Sequence, residues 1–132
     1  MTYHFGKTSQ ARLDTCHPLL QEICNEAIKY IDFSILCGTR NESEQQAAVL
    51  SGASEVVYPD SKHNQSPSIA VDISPYPVNW SDTTRFAYLM GIIKGIAMVK
   101  GIKIRTGNDW DCDGDITDHS FMDWPHVELM LD

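Results

Sequence analysis

Apolar residues recur along this chain with two different periods, and the switches between them outline its elements. After Pro18, a residue suited to a first helical turn, Leu19, Leu20, Ile23, Cys24, Ala27, Ile28 and Ile31 fall at helical spacing, which predicts an amphipathic helix over 18–31. Residues 33–37 are a short, largely apolar run that reads as a strand ending at Gly38. A polar stretch from Asn41 leads into a predicted helix over 42–51, closed by Gly52. Pro59, Asp60, Asn64, Ser66 and Pro67 mark 53–68 as loop. A compact apolar strand over 69–73 carries Asp72, and Ser81 or Asp82 can cap a helix running to about 99. Strands over 102–105 and 126–131 flank an acidic loop, 107–120. Such elements predict an α+β class, with helices packed on one side of a small, mostly antiparallel sheet.

Length and composition bound the picture. A chain of 132 residues supports one core but not two, so one domain is expected, with no repeat or low-complexity segment dividing it. An apolar fraction of 42% with 21% charged residues is ordinary for a globular protein. The net charge of −8 is uneven: residues 109–132 hold eight acids and no Lys or Arg, while ten acids balance ten bases before them. Acids packed that densely among Trp110, Phe121, Trp124 and Val127 call for cations, and they argue against nucleic acid as a partner. Residues 86–99 are apolar, but Arg85, Lys94 and Lys100 argue against a membrane span. The four cysteines form no C-x-x-C and read as free thiols of a reducing cytoplasm. The first residues lack the apolar run of a signal peptide.

Two histidines and a carboxylate suffice for a catalytic zinc, which uses three protein ligands and leaves a fourth position to water. His63, Asp72 and His126 supply that count, and Asp123, three residues before His126, can take a proton from water. Pro125 disfavours helix at Trp124, so 123–126 is predicted as extended. Glu128 competes for the base role, or orients the His126 ring from the same strand face. His4, His17 and His119 read as surface or local structural residues.

The run Ser61-Lys62-His63, then Ser68-Ile69-Ala70-Val71-Asp72, then Asp123-Trp124-Pro125-His126, resembles the D-Ala-D-Ala carboxypeptidase/dipeptidase family. Within it, the phage L-alanyl-D-glutamate endopeptidases that act as endolysins look closest. The resemblance extends from the His17-Pro18-Leu19-Leu20 segment through Gly38-Thr39-Arg40 to the end. It implies a D-Ala-D-Ala metallopeptidase-like (hedgehog-type) fold and zinc ligands His63, Asp72 and His126, with Asp123 as general base. Arg40 matches the arginine that contacts substrate and stabilises the oxyanion, and Ser61 matches the motif serine near substrate. Without the resemblance, Arg40 reads equally as a helix-entry partner of Glu44. Two departures stand out: His63 and Asp72 lie nine positions apart where the signature has seven, and Ser68 replaces a glycine. Turn formers between Asn64 and Pro67 can absorb the insertion.

Residues 109–114 repeat the first half of an EF-hand loop, with Asp109, Asp111 and Asp113 at alternating positions and Gly114 at the turn. Position twelve is Ser120 rather than Glu, so the shell would be completed by the Asp115 carbonyl at position seven and by an Asp118 carboxylate off register. Calcium there would order the segment that delivers Asp123 and His126, gating activity.

The leading expectation is a zinc peptidoglycan endopeptidase, cutting the stem peptide between L-Ala and D-Glu as a phage lysis enzyme. It would act as a monomer without a separate cell-wall-binding domain or stable membrane insertion. Made in the host cytoplasm, it would reach the wall through a lesion opened by another protein. Rival readings are a carboxypeptidase of the same fold that trims terminal D-Ala, and a non-catalytic, calcium-stabilised wall-binding module.

Overall fold

A computed structural model describes residues 3–117 and 122–131. Helices α1 (Lys7–Leu13) and α2 (Pro18–Ala27) precede strand β1 (Phe33–Cys37) and helix α3 (Glu42–Leu50). A single 3₁₀ turn (Lys62–Asn64) leads to β2 (Ala70–Pro75), α4 (Thr83–Lys100), β3 (Ile104–Thr106) and β4 (His126–Leu129). The strands form one antiparallel sheet in the order β1-β2-β4-β3.

Period-two alternation divides the sheet into two chemically different faces. Ile35, Val71, Ile73, Val127, Leu129 and Ile104 join the buried core with Leu20, Ile23, Leu89, Ile93 and Ala97 of α2 and α4. Asp72 pairs across with His126, and Arg105 with Glu128, so these residues share the opposite face. One face therefore anchors the sheet while the other gathers polar chemistry.

Local signals account for the helix ends. Pro18 occupies the first turn of α2, and His17 Nδ1 accepts from the Leu19 amide at 3.1 Å, the local structural role expected of it. The expected helix stops at Ala27; residues 28–31 tighten into a turn through Lys29 N–H to Glu26 O and Tyr30 N–H to Ala27 O. Asn41 and Glu44 form a reciprocal capping box on α3. Asp82 caps α4, which ends at Gly101 in the left-handed region (φ 71°).

The sequence pattern did not foretell α1, because only Leu13 of its residues is buried and no apolar stripe exists to read. Its role is at the edge of the sheet. Ser9 Oγ accepts from the Ile35 amide at 3.0 Å and Arg12 donates to the Ile35 carbonyl at 3.0 Å, covering the outer backbone groups of β1. The expected loop 53–68 contains the 3₁₀ turn, capped at Ser61. Among the described residues no helix is long and apolar enough to cross a membrane.

Candidate metal and active site

The polar face of the sheet gathers the candidate ligands. His63 comes from the 3₁₀ turn, where Ser61 Oγ accepts from its amide at 3.2 Å, and its ring is almost wholly buried. Its Nδ1 meets the Gly38 carbonyl at 2.8 Å, which turns Nε2 toward Asp72 Oδ1 at 3.2 Å. His126 opens β4 beside Asp72 on β2, with Nδ1 3.4 Å from the same Oδ1. Its other nitrogen, Nε2, lies 2.8 Å from Glu128 Oε1. Each ring thus has one nitrogen fixed by an oxygen acceptor and the other aimed inward, the arrangement that orients imidazoles for a metal.

Residues 64–67 and Ser68 show how the longer His63–Asp72 spacing is housed. Buried Ser68 donates to the Ala70 carbonyl at 2.6 Å and accepts from the Ala70 amide at 3.2 Å. Its carbonyl accepts from the His17 amide, and its amide donates to the Thr15 carbonyl. The strand entry is pinned to the start of α2 after the insertion.

Asp123 lies with Oδ2 3.9 Å from His126 Nδ1. Residues 123–126 form a β-turn closed by His126 N–H to Asp123 O at 3.1 Å, rather than the extended segment expected. Reciprocal backbone bonds explain it: Asp123 N–H donates to Gly107 O, and Gly107 N–H to His126 O. Gly107 is required by close approach, since a Cβ there would run into the Asp123 carbonyl.

Arg40 does not pair with Glu44, whose carboxylate accepts from the Asn41 amide in the capping box. Arg40 instead donates to Asp72 Oδ2 at 3.1 Å and to Gln45 Oε1 at 3.3 Å. Gln45 is wholly buried and also donates to Ser54 Oγ and the Val56 carbonyl. It therefore ties Arg40 to the segment that walls a cleft of about 230 Å³. Arg40, Ser61, His63, Asp123 and His126 all line that cleft.

Charge follows this geometry. Burial disfavours the His63 imidazolium, but the hydrogen bond and charge of Asp72, with Cys37, outweigh it and lift its pKa to about 10. Burial would raise Asp72, yet hydrogen bonds from His126 and His63 hold its carboxyl well below the usual range. His126 is raised by Asp72 and Glu128 against the same burial penalty. Asp123 moves the other way from Asp72: burial, then the Asp72 charge, push its carboxyl up despite His126, His63 and Arg40.

One neighbour was not legible from spacing. A bulge between Ile35 and Cys37 sets Cys37 opposite Asp72, and its Sγ lies within 4.8 Å of donor atoms of His63 and Asp72. Cys37, His63 and Asp72 thus form a group able to hold a metal ion. Cys16 lies close behind the site in the core, and burial pushes it up to about 12, an inert group.

In the acidic loop, Asp109, Asp111 and Asp113 bring one oxygen each within 4.8 Å of one another. Asp109 is buried, accepts from the Asp113 and Gly114 amides, and pairs with Lys94 of α4 at 3.2 Å. Asp115 accepts from the Thr117 amide and hydroxyl. Asp118, with His119 and Ser120, lies outside the described residues. Trp110 of this loop packs against the His126 ring, centroids 5.5 Å apart.

Comparison with known proteins bears on this whole arrangement. The chain is 31% identical to the L-alanyl-D-glutamate peptidase of Escherichia phage T5, with 98% of this chain and all of that protein aligned. The crystal structure of the Serratia marcescens L-Ala D-Glu endopeptidase ChiX superposes with a TM-score of 0.74 at 25% identity, covering 96% of this chain and 90% of that one. The family model described as phage L-alanyl-D-glutamate peptidase matches residues 1–130, and the chain belongs to that family.

Proposed function

We propose that this protein is a zinc-dependent peptidoglycan endopeptidase that hydrolyses the L-Ala–D-Glu bond of the stem peptide. The observation that carries the reading is the convergence of His63 Nε2 and His126 Nδ1 on Asp72 Oδ1, beside Asp123 in one cleft. Two imidazole nitrogens and a carboxylate oxygen suit zinc. His63, Asp72 and His126 would hold the ion; Cys37 is a neighbouring thiol of the same cluster. A bound zinc supplies Lewis acidity, making water nucleophilic near neutral pH and polarising a carbonyl.

The chain's own residues do the rest. Asp123, its pKa raised by burial and by Asp72, takes the proton of the attacking water and returns it to the leaving amine. Arg40 brings a permanent positive charge to the cleft beside Asp72, where an oxyanion develops. Ser61 lines the cleft and holds the turn that carries His63. Gly38 and Glu128 keep the two rings in the required tautomers.

Asp109, Asp111 and Asp113 of the acidic loop would hold calcium in the same reading. Calcium would take over part of the charge that Lys94 now matches at Asp109. The Trp110–His126 contact gives such binding a route to the active site. Activity unaffected by a calcium-selective chelator, with zinc retained, would rule out that gating.

All four thiols are free, which agrees with synthesis in the reducing host cytoplasm before another factor opens a path to the wall. The direct test is hydrolysis of purified peptidoglycan before and after zinc removal. Loss on chelation and recovery with stoichiometric zinc support the assignment; full activity in the metal-stripped protein would refute it.

A further inference from the structure

We propose that Arg105, braced by Trp110 and Glu128 on the cleft wall, recognises the free α-carboxylate of the D-glutamate that follows the scissile bond. The inference rests on the endopeptidase reading above and names the group that selects its substrate.

The substrate's chemistry sets the requirement. D-glutamate continues the stem through its side-chain carboxyl, so its α-carboxylate remains free and sits next to the nitrogen of the bond to be cut. The cleft is hostile to that charge, because Glu55, Asp60, Asp123 and Glu128 line it in a chain of net charge −8. A like charge in such a place is repelled unless a cation meets it.

Three cations line the cleft: Arg40, Lys62 and Arg105. Arg40 is held against Asp72 and Gln45, in the place given above to the oxyanion. Lys62 is exposed, a hydrated point charge on a flexible stem. Arg105 differs from both. Its guanidinium carbon lies 5.1 Å from the centre of the Trp110 ring, which fixes the plane. Among the described residues its side chain makes one hydrogen bond, Nη2 to Glu128 Oε2 at 3.0 Å, and its Nε is buried with no partner. The rest of the guanidinium is open to the cleft, with the side chain 36% exposed, so its terminal N–H groups are the donors that can meet a carboxylate. Through Glu128 it is also one residue removed from His126, so an anion at Arg105 lies beside the metal ligands.

The test compares two N-acylated stem peptides, one with L-Ala-γ-D-Glu-L-Lys and one in which the D-glutamate α-carboxylate is the neutral amide. Zinc-loaded wild-type protein is expected to favour the carboxylate in kcat/KM by at least about tenfold, the scale of a charge-assisted hydrogen bond. Arg105→Gln should bring that ratio to within about threefold of unity, and Arg105→Lys should retain part of it. The ratio is the readout because loss of support for Glu128 would slow both peptides together. Were Arg105→Gln too slow to assay, the affinities of both peptides for the inactive Asp123→Asn protein, with and without Arg105→Gln, give the same ratio. A wild-type ratio near unity, or one that survives Arg105→Gln, overturns the assignment of Arg105 while leaving the endopeptidase reading intact. Failure of the wild-type enzyme to cut either peptide at the L-Ala bond overturns both.

Discussion

Glu128 holds Nε2 of His126 at 2.8 Å, and so leaves Nδ1 as the nitrogen that faces Asp72. The carboxylate fixes both the tautomer and the tilt of the ring, from a position two residues along the same strand. Arg105 in turn holds the other oxygen of Glu128.

Glu128→Gln should therefore weaken metal binding by about ten- to a hundredfold without unfolding the protein. Competition with a chromogenic chelator measures it directly. Hydrolysis by the variant should recover as zinc is raised, whereas affinity equal to wild type would show that the ring needs no such support.

Asp123→Ala should lower kcat by about 10²- to 10⁴-fold, the usual contribution of a general base. Zinc content and peptide affinity should stay near wild type, since Asp123 meets the cluster only at 3.9 Å from His126. Retained turnover in a fully loaded variant would remove Asp123 from the mechanism. Retained binding without any hydrolysis in the wild type would instead favour a wall-binding module.

Gly107→Ala tests how the base is placed. The added methyl meets the Asp123 carbonyl, so the variant should lose roughly 1–3 kcal/mol of stability, as overpacked sites do. The same displacement should reduce kcat more than it raises KM. A thermal melt with steady-state kinetics checks both, and a neutral substitution would contradict the close approach of 107 and 123.

Metal entry should expel protons. In the metal-free protein His63, with a pKa of about 10, is protonated at neutral pH, and a zinc ligand must be neutral. Calorimetric titration with zinc in buffers of different ionisation enthalpy should report net proton release at pH 7–8. The raised pKa also sets the sign for stability. The His63–Asp72 interaction contributes fully below the unfolded histidine value of about 6.5 and is lost as pH rises toward 10. The lowered Asp72 contributes above about 3.9 and is lost as acid protonates it. The melting temperature of metal-free protein should thus fall from pH 7 to 10, with no comparable fall when zinc is bound.

How far the sequence discloses this molecule depends on whether a residue's role leaves a periodic or spaced trace. The strands around Ile35, Val71 and Val127 were legible because alternate positions face a core. His63, Asp72, Asp123 and His126 were legible through residue type and the motif they share with the resembled family; the structure brings both rings onto Asp72, with His63, Asp123 and His126 lining the cleft. Helix α1 left no trace because its work is hydrogen bonding to the edge of β1. Cys37 reaches the site only through a bulge, which shifts register in a way alternation cannot reveal. Gln45 and Arg105 were equally hidden. The role of Gln45 rests on four tertiary hydrogen bonds, and that of Arg105 on its cross-strand register with Glu128. For Arg40 the sequence points to substrate or to Glu44, and its contact with Asp72 crosses from the start of α3 to β2.

The most direct test is mass spectrometry of the fragments released from purified peptidoglycan by the zinc-loaded protein. A new amino terminus at D-glutamate, absent from digests with Asp123→Ala, is the predicted product. Release of terminal D-alanine with the L-Ala–D-Glu bond intact would contradict the account and assign the site to a carboxypeptidase.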